Sequence, residues 1–356
     1  MSSAAGALAR WISPFLAVAA VAALDCAAGA HCFADPDPDA AAHDSADDAA
    51  QENPPDNPPA QARATDGGNP FADVPLYVNP TSAALRAANS AEPPSPELTT
   101  IANTPQAFWI DEAVPFSVVN GYLGGAWAAG AMPVLAIYAI PHRDCGSFAA
   151  GGFATGAAYK GWIDSVADSI GASPVAIILE PDALDMADCL SPDQREERFS
   201  LIRYAVDTLT RDPAAAVYID GGHSRWLPAE EIASRLNQAG VDHARGFSLN
   251  TSNFFTTEEE TDYGEAVSGM TNGAHYVIDT GRNGTGPAPE APLSWCNPSG
   301  RAMGAQPTTD TVGEHADAYL WVKRPGESDG ACNRGDPRAG VFVNQYAIDL
   351  VRNAGH

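Results

Sequence analysis

The sequence predicts an α/β fold built on a parallel sheet, and three observations carry that prediction. Seven short apolar runs recur along the chain, each breaking off in a polar or charged cluster. Helix-patterned segments lie between several of them, and strands alternating with helices imply parallel pairing under a helical cover. The runs are continuously apolar rather than alternating, as strands buried on both faces are. Seven such units either close into a barrel or form an open sheet. In both, the polar residues that end the strands gather on one rim, where α/β enzymes carry their sites.

Taken in order, the chain first shows Arg10 ahead of WISPFLAVAAVAALDCAAGA. A charge, a short apolar core and small residues read as a secretory signal over residues 1–34, with Ala30 or Ala34 as the cleavage position. An uncleaved membrane anchor is the alternative, but the core from Phe15 to Leu24 is shorter than the ~20 residues a span needs. Residues 35–68 are rich in Pro and Asp, lack a hydrophobic period and read as a disordered linker. The folded domain is expected over 69–356. Its strand runs begin at Ala107, Val134, Val175, Ala215, Gly246, His275 and Tyr319. In SPDQREERFSLIRYAVDTLTR, Ser191 is placed as an N-cap, Pro192 in the first turn, and Phe199, Ile202, Val206 and Leu209 on one face. PAEEIASRLNQAG reads as a second helix, from Pro228 to a stop at Gly240.

Composition narrows the partners. With 45 acidic against 19 basic residues, the chain lacks the Lys/Arg patches that nucleic acid or an anionic membrane requires. Six cysteines suit an exported protein, and two of them, Cys26 and Cys32, fall within the signal region. Cys145, Cys189, Cys296 and Cys332 remain for the folded part, and four cysteines allow three pairings. A zinc site is the alternative, but no CxxC or close Cys/His spacing is present, so no metal and no cofactor is expected.

Collected at the strand ends are Asp111, Asp144, Asp182, Asp220, Asp279 and Asp329. Arg143, Arg282, His223, Lys323, Glu180 and Glu327 stand beside them, with Trp109, Trp226, Trp295, Trp321 and Tyr138. Sugars present flat apolar faces that stack on aromatic rings, and their hydroxyls seek carboxylates and cations. Glycosidic cleavage needs one protonated carboxylic acid, usually with an ionised partner, so clustered acids among tryptophans fit it. Taken singly, each Asp reads as a cap or a loop solvator in an Asp-rich chain.

The motifs then converge. LEPD after an apolar run, YAIPHRDC before it, YIDGGHSRW after it and WVKRPGESDG late in the chain resemble glycoside hydrolase family 6, in the family's own order. VNPTSAALRAA, NTSNF, VIDTGRNGTGP and WCNPSGRAMG extend the resemblance from about residue 70 onward. It implies a distorted seven-stranded parallel (β/α) barrel, TIM-like, and a secreted monomer that cleaves a β-1,4-glucan with inversion. By the same resemblance Asp182 is the general acid, and Asp144 keeps it protonated. Tyr138 crowds the reacting sugar, and Asp329 is a base or charge stabiliser. Asp220, His223 and Trp226 form the leaving-side loop, and Lys323 and Glu327 bind hydroxyls. Trp109 and Trp295 are platforms, Asn250 is a polar contact, and Glu180 is a structural neighbour of the acid. A Cys145–Cys189 bridge would tie the two acid-bearing loops, and Cys296–Cys332 the other half.

One position departs from the family. Where members commonly carry a serine that holds the attacking water, CGSFAAGG has Ala150, with the nearest hydroxyl on Ser147. A catalytically weak glucan-binding protein is the rival reading it suggests. The segment from Cys332 to the last helix is too short to roof a cleft, so an open cleft and internal attack are expected over a cellobiohydrolase.

Overall fold

A computed structural model describes residues 68–355; the expected signal and all but the last residue of the expected linker lie outside the described residues. From the N-terminal side, helices α1 (Ala83–Ser90) and α2 (Pro96–Ala102) precede strand β1 (Phe108–Ile110). Then follow α3 (Phe116–Ala128), β2 (Val134–Ile137), α4 (Gly156–Ile170), β3 (Val175–Leu179), α5 (Pro192–Leu209) and β4 (Ala215–Asp220). The remainder is α6 (Ala229–Gln238), β5 (Gly246–Leu249), α7 (Thr257–Met270), β6 (His275–Asp279), β7 (Ala316–Leu320) and α8 (Asn344–Asn353).

The seven strands pair in sequence order, every pair parallel. The sheet curls until its edges meet: Ala107 N–H donates to the Trp321 carbonyl at 3.0 Å, and the Trp109 indole donates to the Val322 carbonyl at 2.8 Å. The result is the distorted barrel that the sequence implies.

Side-chain alternation explains the two cores. Leu135, Ile137, Ile177, Leu179, Val217 and Ile219 point outward and pack under the helices, against residues such as Leu123, Ile163 and Val206. Their neighbours Ala136, Ala176, Ala216 and Ala318 face the lumen with Ile178 and Tyr218. Small residues there let seven strands close around little space. Each outward aliphatic side chain contributes about 1.5–3 kcal/mol by leaving water.

Local signals explain the helix that follows the acid strand. Ser191 accepts the Gln194 N–H while the Gln194 side chain accepts the Ser191 N–H, so a capping box opens α5. The helix after β4 starts behind Pro228, and the left-handed Gly240 lies just past its end. The last strand begins at Ala316 rather than at Tyr319, because a charged residue inside it, Asp317, disguises it as loop. That carboxylate is buried, accepting Arg245 Nε and Nη2 at 2.8 Å each and the Tyr218 hydroxyl at 2.7 Å. Trp321 is not at the rim; it is 1% exposed and packs with α1, α2 and α8 in a side cluster.

Candidate active site

The C-terminal strand ends open into a cleft of about 1080 Å³, lined by Asp144, Asp182, Asp329, Tyr138, Lys323 and Glu327. Trp109, Trp226, Trp295 and His223 line it as well. Backbone at this rim is unusual. Asp144, Glu180, Asp182, Asn250 and Ser252 all have φ between 53° and 67°, a region that costs side-chain-bearing residues energy and persists where the surroundings hold it.

Those surroundings are visible around Asp182. Its strand ends at Leu179, and Glu180 turns inward, where its carboxylate accepts the Ala139 N–H at 3.0 Å and the Ile140 N–H at 3.1 Å. Glu180 therefore ties β3 to the segment after β2; burial pushes its carboxyl up to about 7 against those donors. The Asp182 N–H donates to Asp220 Oδ1 at 2.9 Å. Its carboxyl is driven well above the usual range by burial first, then by Asp220 and Asp144, with Lys323 opposing. Asp144 is also raised by burial, although it accepts the Ala149 N–H at 2.6 Å beside the Arg143 guanidinium.

Asp220 is 0% exposed and lies beneath the cleft wall rather than in it. It accepts from Asp182 N–H, Gly222 N–H and, at 2.9 Å, the Ser248 hydroxyl. The substrate contact expected of it is therefore replaced by a supporting role. Asn250 is likewise fully buried: its amide donates to the Phe255 and Asp279 carbonyls and its oxygen accepts the Phe255 N–H. It folds the 250–255 loop instead of facing a sugar.

Asp329 sits in a different field. Burial alone would raise its carboxyl, but Arg282, Lys323 and the Asn297 N–H hold it below the usual range. Arg282 Nη1 lies 2.9 Å from both carboxylate oxygens, and Lys323 Nζ is 3.4 Å from one. A carboxylate so paired is a weak proton acceptor and a durable negative charge. Glu327 is held by Arg324 at 2.9 Å.

Tyr138 stands edge-on to Trp109, centroids 5.5 Å apart, with the Arg143 guanidinium 4.8 Å from its ring centroid. Burial pushes its hydroxyl well above the usual range, so it stays neutral. His223 stacks on Phe255 at 4.2 Å and neighbours Trp226. Burial first, then Arg225, push it down to about 4. Its Nδ1 is assigned as acceptor of the Arg225 N–H at 3.2 Å, which leaves Nε2 as the donor.

The two disulfides are Cys145–Cys189 and Cys296–Cys332, with Cα separations of 6.3 and 5.9 Å. Phe148, Arg225 and Phe255 are among the cleft residues to which the sequence alone assigns no role. A phenylalanine amid Gly, Ser and Ala in CGSFAAGG was the signal available for the first. Its ring meets Trp295 across the cleft, centroids 6.0 Å apart, so the cleft is short-looped but bridged at one point. Among the described residues, no group of His, Cys, Asp and Glu is arranged to hold a metal, and no helix is long and apolar enough to cross a membrane.

Comparison with known proteins agrees with this geometry. Residues 71–354 match the family model described as glycosyl hydrolases family 6. The endoglucanase Cel6 of Mycobacterium tuberculosis, solved with methyl-cellobiosyl-4-deoxy-4-thio-β-D-cellobioside, is 70% identical with a TM-score of 0.79. That match covers 81% of this chain and 100% of the other. Endoglucanase A of Cellulomonas fimi is 45% identical over 285 residues, 78% of this chain and 61% of the relative. Endoglucanase 1 of Streptomyces halstedii is 40% identical over 292 residues, 78% of this chain and 88% of the relative. The chain thus spans about three-fifths of the length of the Cellulomonas relative and most of the Streptomyces one. The chain belongs to glycoside hydrolase family 6.

Proposed function

We propose that this protein is a secreted, monomeric endo-β-1,4-glucanase that hydrolyses internal glucosidic bonds with inversion, using Asp182 as general acid. The observation that carries the reading is Asp182 itself. It is a carboxyl in a tryptophan-lined cleft, buried beside Asp220 and Asp144 and therefore held protonated. A neutral acid at working pH is what a glycosidic oxygen needs in order to leave. The endoglucanase names of the relatives support the choice of substrate and the internal mode of attack. The two disulfides and the sequence of residues 1–34 support secretion.

The steps follow from the residues. Glucosyl units stack on Trp109, Trp226 and Trp295 while the His223 Nε2–H and Lys323 meet hydroxyls. Asp182 gives its proton to the leaving oxygen as the bond to the anomeric carbon breaks. Lys323 limits the cost of the new carboxylate. Water attacks from the opposite face, forming the new C–O bond, and loses a proton. Asp144, raised by burial and open to the cleft, is better suited to receive that proton than Asp329, whose charge Arg282 and Lys323 already hold. Because Asp144 stands on the acid's side, the proton reaches it by relay through water in the cleft. Asp329 instead stabilises the positive charge developing at the anomeric carbon. Ala150 lines the cleft without a hydroxyl, so the water is oriented by other groups and turnover is expected to be modest.

Viscometry of a soluble cellulose derivative tests the mode of attack: viscosity should collapse while few reducing ends appear. Cellobiose as nearly the sole product, with viscosity maintained, would point instead to a cellobiohydrolase. Absence of hydrolysis above that of Asp182→Ala would leave a glucan-binding protein.

A further inference from the structure

We propose that Phe148 is a specificity-determining residue which, with Trp295, spans the cleft outside the reacting carboxyls and restricts it to glucan units without bulky branches. The inference rests on the glucanase reading above. The loop carrying Phe148 is fixed along one wall. Ala149 N–H donates to Asp144, Arg143 Nε donates to the Ala149 carbonyl at 3.0 Å, and Gly152 N–H donates to Glu112 at 2.8 Å. Cys145 adds the bridge to Cys189.

A phenylalanine that merely packed its own loop would find cover on that wall. Phe148 finds it on the other. Its ring lies 6.0 Å from Trp295 at an interplanar angle of 50°, and its Cβ and Cγ occupy the space a side chain at Gly330 would need, Cγ standing 3.0 Å from that Cβ position. Gly330, at φ +144°, directly follows Asp329. Phe148 and Trp295 thus join the side bearing Asp144 and Asp182 to the side bearing Asp329, and all five residues line the same cleft. Asp329 is 8% exposed, Phe148 is half-buried and Trp295 is 42% exposed, so the two rings form a more solvent-exposed part of the lining than the carboxylate. A sugar held at Asp182 and Asp329 therefore has the two rings in the wall beside it. A plain glucosyl unit meets an apolar surface there; a unit carrying a glycosyl or alkyl branch meets a collision.

The test measures kcat/KM for wild type, Phe148→Ala and Phe148→Leu on cellohexaose and on a β-1,4-glucan branched at O6, such as xyloglucan. Removing the ring should raise the branched-to-plain ratio about 10-fold, with Leu between Ala and Phe. A ratio within about 2-fold of wild type in both folded variants, each checked by its melting curve, overturns the proposal. Should Phe148→Ala fail to fold, the Leu variant decides alone. If wild type cleaves neither glucan, it is the glucanase reading that falls.

Discussion

Asp220 accepts the backbone N–H of Asp182 at 2.9 Å while its own negative charge opposes ionisation of the Asp182 carboxyl. One side chain thus fixes the acid's turn and keeps its proton in place. The two functions separate under Asp220→Asn, which retains an acceptor but removes the charge. The Asp182 carboxyl should then ionise more readily, and the basic limb of the kcat profile should move down by about 1 pH unit. A basic limb that stays put in a folded variant would remove Asp220 from control of the acid.

Replacing the acid should distinguish leaving groups. Asp182→Asn is expected to lower kcat/KM on cellohexaose by roughly 10²–10⁴-fold. On a cellobiosyl fluoride, whose leaving group needs no proton, the loss should be much smaller. Equal losses on both substrates would argue that Asp182 shapes the site without donating a proton.

Arg282 and Asp329 form a buried pair, 0% and 5% exposed at their side chains. Arg282→Met leaves Asp329 with Lys323 as its only cation, beside the Asn297 N–H, and should cost about 3–5 kcal/mol in denaturant unfolding. Adding Asp329→Asn should recover part of that stability while activity stays lost, since the charge near the anomeric carbon is gone. Full additivity of the two losses would mean the pair is not coupled.

Thermal stability should peak in mild acid. Burial raises Glu180 and Glu260 to about 7 and Asp220 to about 6, lifts Asp144 and Asp279 as well, and raises Asp182 and Asp185 well above their usual range. Between the ordinary carboxylate range and 7 the folded chain binds protons that the unfolded chain has released, so stability falls as pH rises through that window. His223, pushed down to about 4, acts in the opposite sense between 4 and its ordinary value near 6.5, but it is one group against seven. Below the carboxylate range, Asp317 and Asp329, both held low, lose their ion-pair stabilisation as they take up protons. The melting temperature at pH 5 should exceed that at pH 7.5; the reverse order would contradict the proton positions described here.

Much of this was legible in the residues. Continuous apolar runs placed most of the strands, and a capping box placed the start of α5, because both signals are local. The acid-bearing strand VAIILEPD stood out because its apolar run stops at Glu180-Pro181-Asp182. What escaped the sequence depends on distant partners. Asp317 lies inside a strand because Arg245 and Tyr218, far along the chain, satisfy it. Asp220 and Asn250 share their motifs with residues that do face the cleft, and only the fold turns their side chains inward. A lone ring amid small residues marks Phe148 in the sequence, but its role depends on Trp295 and Gly330, which arrive from the far end of the chain.

The placement of the two disulfides has a mechanical consequence. Cys145–Cys189 joins two segments on the acid's side, and Cys296–Cys332 joins two on the Asp329 side. Neither crosses between them, so each side behaves as one stiff jaw. A polymer entering mid-chain has to part Phe148 from Trp295, a ring contact on the order of 1 kcal/mol, without loosening either jaw. Reduction would therefore blunt the grip on substrate and leave the ease of entry largely as it was.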